Sequence, residues 1–334
     1  MFVAVSREKT FVRRRAPELD MGKQQPTRIT IERMADMGKI GFIGLGIMGK
    51  PMSRNLLKGG ADLLVYDIDA AAVETLVKEG AVSASLSEIG EACDMVFTIL
   101  PKGEIVREVL FCENGVAAGM SKGGVVVDMS SVTPTDSKEC AKRLSEKGIG
   151  FIDAPVSGGE PKAIDGTLAI MAGGNQADFE RALPLFKLMG SSAALVGTTG
   201  SGSTAKLVNQ VIVNGTIALV AEAFVFCVKS GAAPMVVYEA IRGGLAGSTI
   251  LDAKLPMMAS RDFNPGGKIS INHKDIGNVL KTAHIVDCPM PFTAQLYEIM
   301  QTLKVAGQMD DDHSALVNYF ERLAGVLVED VGEN

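Results

Sequence analysis

Residues 39–49 read Lys39-Ile40-Gly41-Phe42-Ile43-Gly44-Leu45-Gly46-Ile47-Met48-Gly49, a short apolar run that breaks into glycines. The glycines fit G-x-G-x-x-G, which alone is also satisfied by a strand–turn–helix with no ligand. Its surroundings narrow the choice. Lys39 to Gly44 predicts a strand and Met48 to Leu57 a helix. Leu63-Leu64-Val65-Tyr66-Asp67 predicts a second strand ending in an acid eighteen residues past Gly49. Strand, glycines, helix, strand and acid in that order are the βαβ fingerprint of a dinucleotide site. Gly44 permits the tight turn, Gly46 lets a pyrophosphate approach the backbone, and Gly49 lets helix and strand pack closely. Leu45, Ile47 and Met48 complete the loop, and the helix N-terminus turns free N–H groups and its positive end toward phosphate. Asp67 is expected to accept hydrogen bonds from the adenosine ribose hydroxyls.

Further strands are expected at Met95 to Leu100, Gly124 to Asp128, Ile149 to Asp153, Thr167 to Gly173 and Ala193 to Gly197, with helical patterns between them. Such alternation predicts a Rossmann-type α/β fold, a doubly wound parallel sheet covered on both faces. After Gly202 the pattern turns helical for nearly thirty residues, and no strand is expected beyond it. The reading is a dinucleotide-binding domain over 37–198 and an all-helical substrate and oligomerisation domain over 199–334, entered by a long interdomain helix. Residues 1–36 carry eight Lys/Arg and five Asp/Glu and read as a flexible extension or a start assigned upstream of Met37.

Composition bounds the partners. The net charge of −6, with no basic block in the body, argues against nucleic acid. The most apolar stretch, Val211 to Val228, is interrupted by Asn214 and Glu222 and reads as a buried helix rather than a membrane span. Five scattered cysteines without C-x-x-C spacing suggest reduced thiols and a cytoplasmic location.

Two more segments carry chemistry. Asp153-Ala154-Pro155-Val156-Ser157-Gly158-Gly159 follows a predicted strand, and a serine before two glycines offers a hydroxyl and open N–H groups to a carboxylate. By itself it reads equally as an ordinary turn. Gly197, Gly200, Gly202, Lys206 and Asn209 form G-x-x-G-x-G-x-x-x-K-x-x-N at the start of the long helix. Lys206 and Asn209 share a helical face, where a lysine is either a proton donor to a carbonyl or a solvated side chain.

Taken together, the three segments resemble the β-hydroxyacid dehydrogenase family, the 3-hydroxyisobutyrate dehydrogenase-like enzymes, from Met37 almost to the end. Asp153 to Leu168, Ala240 to Thr249, Leu251 to Lys254 and Asp312 to Leu316 look closest to its tartronate semialdehyde reductase branch. The resemblance implies reversible reduction of tartronate semialdehyde to glycerate, with 3-hydroxyisobutyrate or another short β-hydroxy acid as the alternative substrate. It implies Lys206 as proton donor, with Asn209 orienting the substrate or the lysine, and Ser157, Gly158 and Gly159 holding the carboxylate. Leu100, Pro101 and Ser131 would line the cofactor and the reacting end, and Lys274 and Asp275 would reach over the site from the helical domain. Family members associate through that domain, so a homodimer or homotetramer is expected. Relatives that favour NADPH commonly carry an Arg clamp where this chain has Ile68, so NADH is expected in preference to NADPH.

One departure stands out. Close relatives often place an aromatic residue about eight positions before Asp275 as a cover. Here Gly266-Gly267 occupies that place, leaving a looser cover or a substitute in Phe263. Two other uses of this fold, a non-catalytic structural module and an imine reductase, usually lack the lysine that is present as Lys206. Asp310-Asp311-Asp312-His313 reads as a helix cap rather than a metal site, and His273 is a poor acid/base candidate.

Overall fold

The computed structural model describes residues 38–329; the 1–36 segment lies outside them. The first strand, β1 (Lys39–Ile43), leads into α1 (Gly49–Lys58), β2 (Leu63–Tyr66), α2 (Ala70–Lys78) and the two-residue β3 (Val82–Ser83). Then follow α3 (Leu86–Ala92), β4 (Cys93–Thr98), α4 (Gly103–Phe111), α5 (Val116–Gly119), β5 (Val125–Asp128), α6 (Pro134–Ser145) and β6 (Gly150–Asp153). The short β7 (Val156–Ser157), α7 (Gly159–Asp165), β8 (Leu168–Gly173), α8 (Gln176–Met189) and β9 (Gly190–Gly197) complete the sheet-containing part.

Strand order is β3-β2-β1-β4-β5-β6-β8, with β7 and β9 both paired to β8. The order reverses between β1 and β4, the crevice where open α/β sheets bind ligands at the carboxyl ends of their strands. Adjacent residues alternate between the faces. Phe42, Phe97, Val125 and Val127 pack with Met52, Leu56 and Phe186 on one side. Ile43, Val96 and Val126 pack with Leu110, Cys140 and Leu144 on the other. Phe42 and Phe97 stack with centroids 6.1 Å apart, and Phe186 meets Phe97 edge-on.

The sheet is the expected Rossmann-type one, parallel from β1 to β6, with a local departure at its far edge: β8 runs antiparallel to β6, and β9 follows β8. The cause lies in the link after Asp153. It spends its length on β7 and α7 at the carboxyl edge, so β8 starts from that edge instead of crossing back under the sheet.

Beyond the sheet every element is helical: α9 (Ser201–Lys229), α10 (Pro234–Ile241), α11 (Thr249–Ala259), α12 (Ile269–Ile285), α13 (Pro291–Val305), a 3₁₀ turn (His313–Leu316) and α14 (Val317–Ala324). Ile217, Phe224, Leu255, Ile276, Met300 and Leu303 are central to its core. Among the described residues α9 is the one helix long and apolar enough to cross a membrane by length and composition. It is a core helix here, packed by α11, α12 and α14 and holding the buried amides Gln210 and Asn214. The sequence pattern predicts α12 only over Lys274 to Ile285, and the helix begins five residues earlier, at Ile269.

Candidate active site

The three fingerprint glycines are required for different physical reasons. Gly44 has φ +98°, and a Cβ there would lie 2.3 Å from the Ile99 carbonyl oxygen. A Cβ on Gly49 would lie 1.8 Å from the Gly44 carbonyl oxygen, so any side chain would push α1 off the turn. Gly46 meets nothing within 4 Å, leaving its backbone open to an approaching group. No side chain caps the start of α1 and no acid stands in its first turn. A diphosphate fits this cradle. Asp67 closes it: one carboxylate oxygen accepts from the Leu45 N–H at 2.5 Å, the other from the Asp69 N–H at 2.8 Å. Ile68 is 95% exposed beside it.

The loops after β4 and β5 are tied together beneath the surface. Asp128 accepts from Thr98 Oγ1 at 2.8 Å and from the Ser130 N–H at 3.1 Å, and the Ser130 hydroxyl accepts from the Leu100 N–H at 2.8 Å. Burial raises the Asp128 pKa against the pull of these hydrogen bonds. Leu100, Pro101 and Ser131 thereby stand on a fixed shelf at the carboxyl edge. Helix α12 reaches across to it. Lys274 Nζ donates to the Ser131 carbonyl at 2.8 Å and the Pro101 carbonyl at 3.3 Å, and Ser131 Oγ donates to Asp275 at 2.8 Å. Asp275 is 1% exposed, pairs with Lys274 at 3.1 Å, and accepts from Gln210 Nε2 at 2.8 Å.

Asp153, at the end of β6, sets the start of α9. Its two oxygens accept from the Gly200 and Ser203 N–H groups at 2.8 and 2.7 Å, a carboxylate on a helix N-terminus. Gly202 packs so closely that a Cβ would lie 2.3 Å from the Asp153 carbonyl oxygen. One turn on is Lys206, half-buried, with no hydrogen-bond partner for its ammonium among the described residues. Burial lowers its pKa from the ordinary lysine value; Asp275 opposes that and Lys274 adds to it. Lys206, Asp275, Lys274 and Ser131 are thus brought together. Asn209 is adjacent, but its amide donates to Gln210 Oε1 at 3.0 Å rather than engaging Lys206.

Ser157, Gly158 and Gly159 stand where β7 enters α7, with φ +141° at Gly158 and +69° at Gly159. The Gly266 carbonyl oxygen lies 3.2 Å from where a Gly159 Cβ would be, so this loop abuts the segment before α12. Ser157 shares no hydrogen bond with Lys206 or Asn209 among the described residues. Phe263 is not a substitute cover: its ring packs on the helical core under the Arg261 guanidinium. The space beside Gly267 is instead faced by His313, whose Nε2 lies 3.4 Å from where a Cβ would be. Asp312 does more than cap the 3₁₀ turn through the Ser314 N–H. It also accepts from the Gly266 and Gly267 N–H groups and from Lys254 Nζ at 2.8 Å.

Sequence reasoning missed Gln210, Asn214, Asn272 and His313. The first two follow Lys206 at helical spacing as amides in an otherwise apolar stretch, a signal that was available. His313 arrives from more than a hundred residues away and had only its place in the Asp312–Leu316 stretch to mark it.

A family model described as the NAD binding domain of 6-phosphogluconate dehydrogenase matches residues 39–199. A second, described as the NAD-binding of NADP-dependent 3-hydroxyisobutyrate dehydrogenase, matches residues 200–320. The chain is 45% identical over 287 residues to the 2-hydroxy-3-oxopropionate reductase of Escherichia coli (strain K12), covering 86% of this chain and 98% of the relative. The chain belongs to the β-hydroxyacid dehydrogenase family. Within that family it is also 39% identical to the 2-(hydroxymethyl)glutarate dehydrogenase of Eubacterium barkeri, over 87% of this chain and 97% of the relative. A solved structure of 3-hydroxyisobutyrate dehydrogenase from Mycobacterium tuberculosis, with L-serine, matches with TM-score 0.80 and 30% identity over 84% of this chain and 98% of that one. As a β-hydroxyacid dehydrogenase the chain uses a nicotinamide cofactor, and its glycine cradle has the corresponding form.

Proposed function

We propose that this dehydrogenase reduces tartronate semialdehyde (2-hydroxy-3-oxopropanoate) to glycerate, reversibly, with NADH in preference to NADPH. The observation that carries the reaction is the half-buried, unpartnered Lys206 ammonium beside Asp275 and Ser131. The substrate choice is supported by the 45% identity to 2-hydroxy-3-oxopropionate reductase along nearly the whole relative.

The substrate carboxylate takes the N–H groups of Gly158 and Gly159 and the Ser157 hydroxyl, and its aldehyde oxygen faces Lys206. When bound, the reduced nicotinamide supplies the hydride for the aldehyde carbon. Lys206 donates a proton to the oxygen as negative charge develops there, and its ammonium stabilises that charge electrostatically. Asp275 keeps the ammonium charged against its burial. Gly44, Leu45, Gly46, Ile47, Met48 and Gly49 would hold the diphosphate, and Leu100, Pro101 and Ser131 the inner face of the cofactor. Lys274 fastens α12 over that shelf.

The cofactor preference rests on charge. Asp67 and Asp69 stand where the adenosine ribose would lie, with Ile68 in place of an Arg clamp, and a 2′-phosphate there meets repulsion without a fork of donors. Arg107, on α4, is held by Asp136 and flanked by Glu104 and Glu139. A cytoplasmic enzyme that associates through α9 completes the reading.

The test is a panel of tartronate, methylmalonate, malonate and succinate semialdehydes, each with NADH and NADPH. Tartronate semialdehyde with NADH should give the highest kcat/KM and yield glycerate, with NADPH lower by about tenfold to a hundredfold, roughly 1.4–2.8 kcal/mol. A higher kcat/KM on methylmalonate semialdehyde overturns the substrate. A match between the cofactors overturns the charge argument.

A further inference from the structure

The glycines Gly266 and Gly267 leave a gap where a side chain would otherwise stand, and what faces it at Gly267 is polar. His313 is 8% exposed, and its Nδ1 lies 3.3 Å from Asn214 Oδ1. Asn214 is oriented by its other end: its Nδ2 donates to the Gln210 carbonyl at 2.9 Å, which leaves Oδ1 as an acceptor. The proton of the imidazole therefore sits on Nδ1, and Nε2 carries a lone pair. Burial first, then the charge of Lys254, pushes the His313 pKa down to about 4, so the ring stays neutral at physiological pH.

Nε2 has no hydrogen-bond partner among the described residues and is not among the buried unpaired atoms, so it is open to an incoming donor. It points at the side of Gly267 where a side chain would stand. The neighbouring amide, Asn272 Nδ2, is spent on the carbonyls of Gly267 and Lys268. The His313 backbone N–H donates to the Gly267 carbonyl at 3.0 Å, and Asp312 pins the same loop, so ring and gap keep a fixed relation. The loop abuts Gly159 on one side, and on the other Lys206 is near enough for its charge to act on His313. The unpaired nitrogen is thus near both the Gly159 loop, through Gly266-Gly267, and Lys206.

We propose that His313 Nε2 accepts a hydrogen bond from a hydroxyl on the substrate carbon next to the carboxylate, and so selects 2-hydroxy substrates over those bearing hydrogen or methyl there. Glycine at 267 is the other half of the device, since a larger side chain would cover the nitrogen. This deepens the substrate reading above and rests on it. A hydrogen or methyl in that position leaves Nε2 desolvated and unpaired, the situation in which a site rejects the analogue that lacks its hydrogen-bonding group.

The test runs the reaction toward oxidation with NAD+ on glycerate, 3-hydroxypropionate and 3-hydroxyisobutyrate. Wild type should prefer glycerate. His313→Leu should lower the kcat/KM ratio of glycerate to 3-hydroxypropionate by about tenfold to a hundredfold, and His313→Gln, which keeps an acceptor, should recover part of it. Gly267→Ala, whose backbone carries no left-handed strain, should lower the ratio in the same direction while leaving the His313–Asn214 pair intact. It decides the matter if His313→Leu fails to fold. A wild type without preference for glycerate overturns the substrate reading itself. A preference that survives both His313→Leu and Gly267→Ala overturns the role of His313 alone.

Discussion

At the scale of single residues, chemistry here follows from what each group is denied. Lys206 is denied an ion-pair partner among the described residues and is half-buried, and burial makes its proton less tightly held than an ordinary lysine's. The sign of the pH dependence follows. Reduction needs the charged ammonium, so its kcat should fall as pH rises through the lowered pKa. Oxidation needs the neutral amine, so its kcat should rise over the same range. Profiles in both directions check this; parallel profiles would assign the titration to another group. The sequence made the tight turn at Gly44 and the close packing at Gly49 legible because they are local, set by one turn and its neighbouring strand. His313 was not legible, because its neighbours Gly267 and Asn214 lie far from it along the chain.

At the scale of elements, the start of α9 is the joint that matters. Asp153 fastens it from the end of β6, so the aim of Lys206 depends on a carboxylate in another element. Asp153→Asn puts an amide N–H₂ against one of the two backbone N–H groups. It should lower kcat by about tenfold through misplacement of the lysine, with little change in cofactor affinity. Burial raises the Asp153 pKa to about 6 from 3.8. The folded protein therefore holds more protons than the unfolded chain between those values, and that part of its stability is lost as pH rises across the interval. Thermal unfolding of Asp153→Asn should lack this slope; an unchanged slope would place the titration elsewhere. The reversal of β8 was not legible. A strand's direction is decided by where the preceding link spends its length, and residues 154–167 give no periodic signal of that. The early start of α12 was hidden for a related reason: Gly266-Gly267 and the β-branched Ile269 and Ile271 mask a helix that tertiary packing stabilises.

At the scale of the molecule, α9 serves two ends. One of its faces carries Lys206, Gln210 and Asn214 toward the site, and others enter the helical core. Ile212, Leu219 and Phe226, seven residues apart, are respectively 59%, 51% and 73% exposed, an apolar stripe of the kind a second copy covers. Phe226→Glu should shift the molecular mass in light scattering toward the monomer, while a wild type already monomeric at micromolar concentration would remove α9 as the interface. Lys274 and Asp275, on α12, tie the helical part to the shelf after β4 and β5, so sheet and helices meet at Pro101 and Ser131.

The central claim is that Lys206 delivers the proton in a nicotinamide-dependent reduction. Turnover of tartronate semialdehyde by Lys206→Ala, measured with NADH affinity on the same preparation, tests it most directly. The account predicts kcat lower by roughly 10²–10⁴, with NADH bound about as tightly as by wild type. Turnover near the wild-type rate, with the cofactor bound, would contradict it.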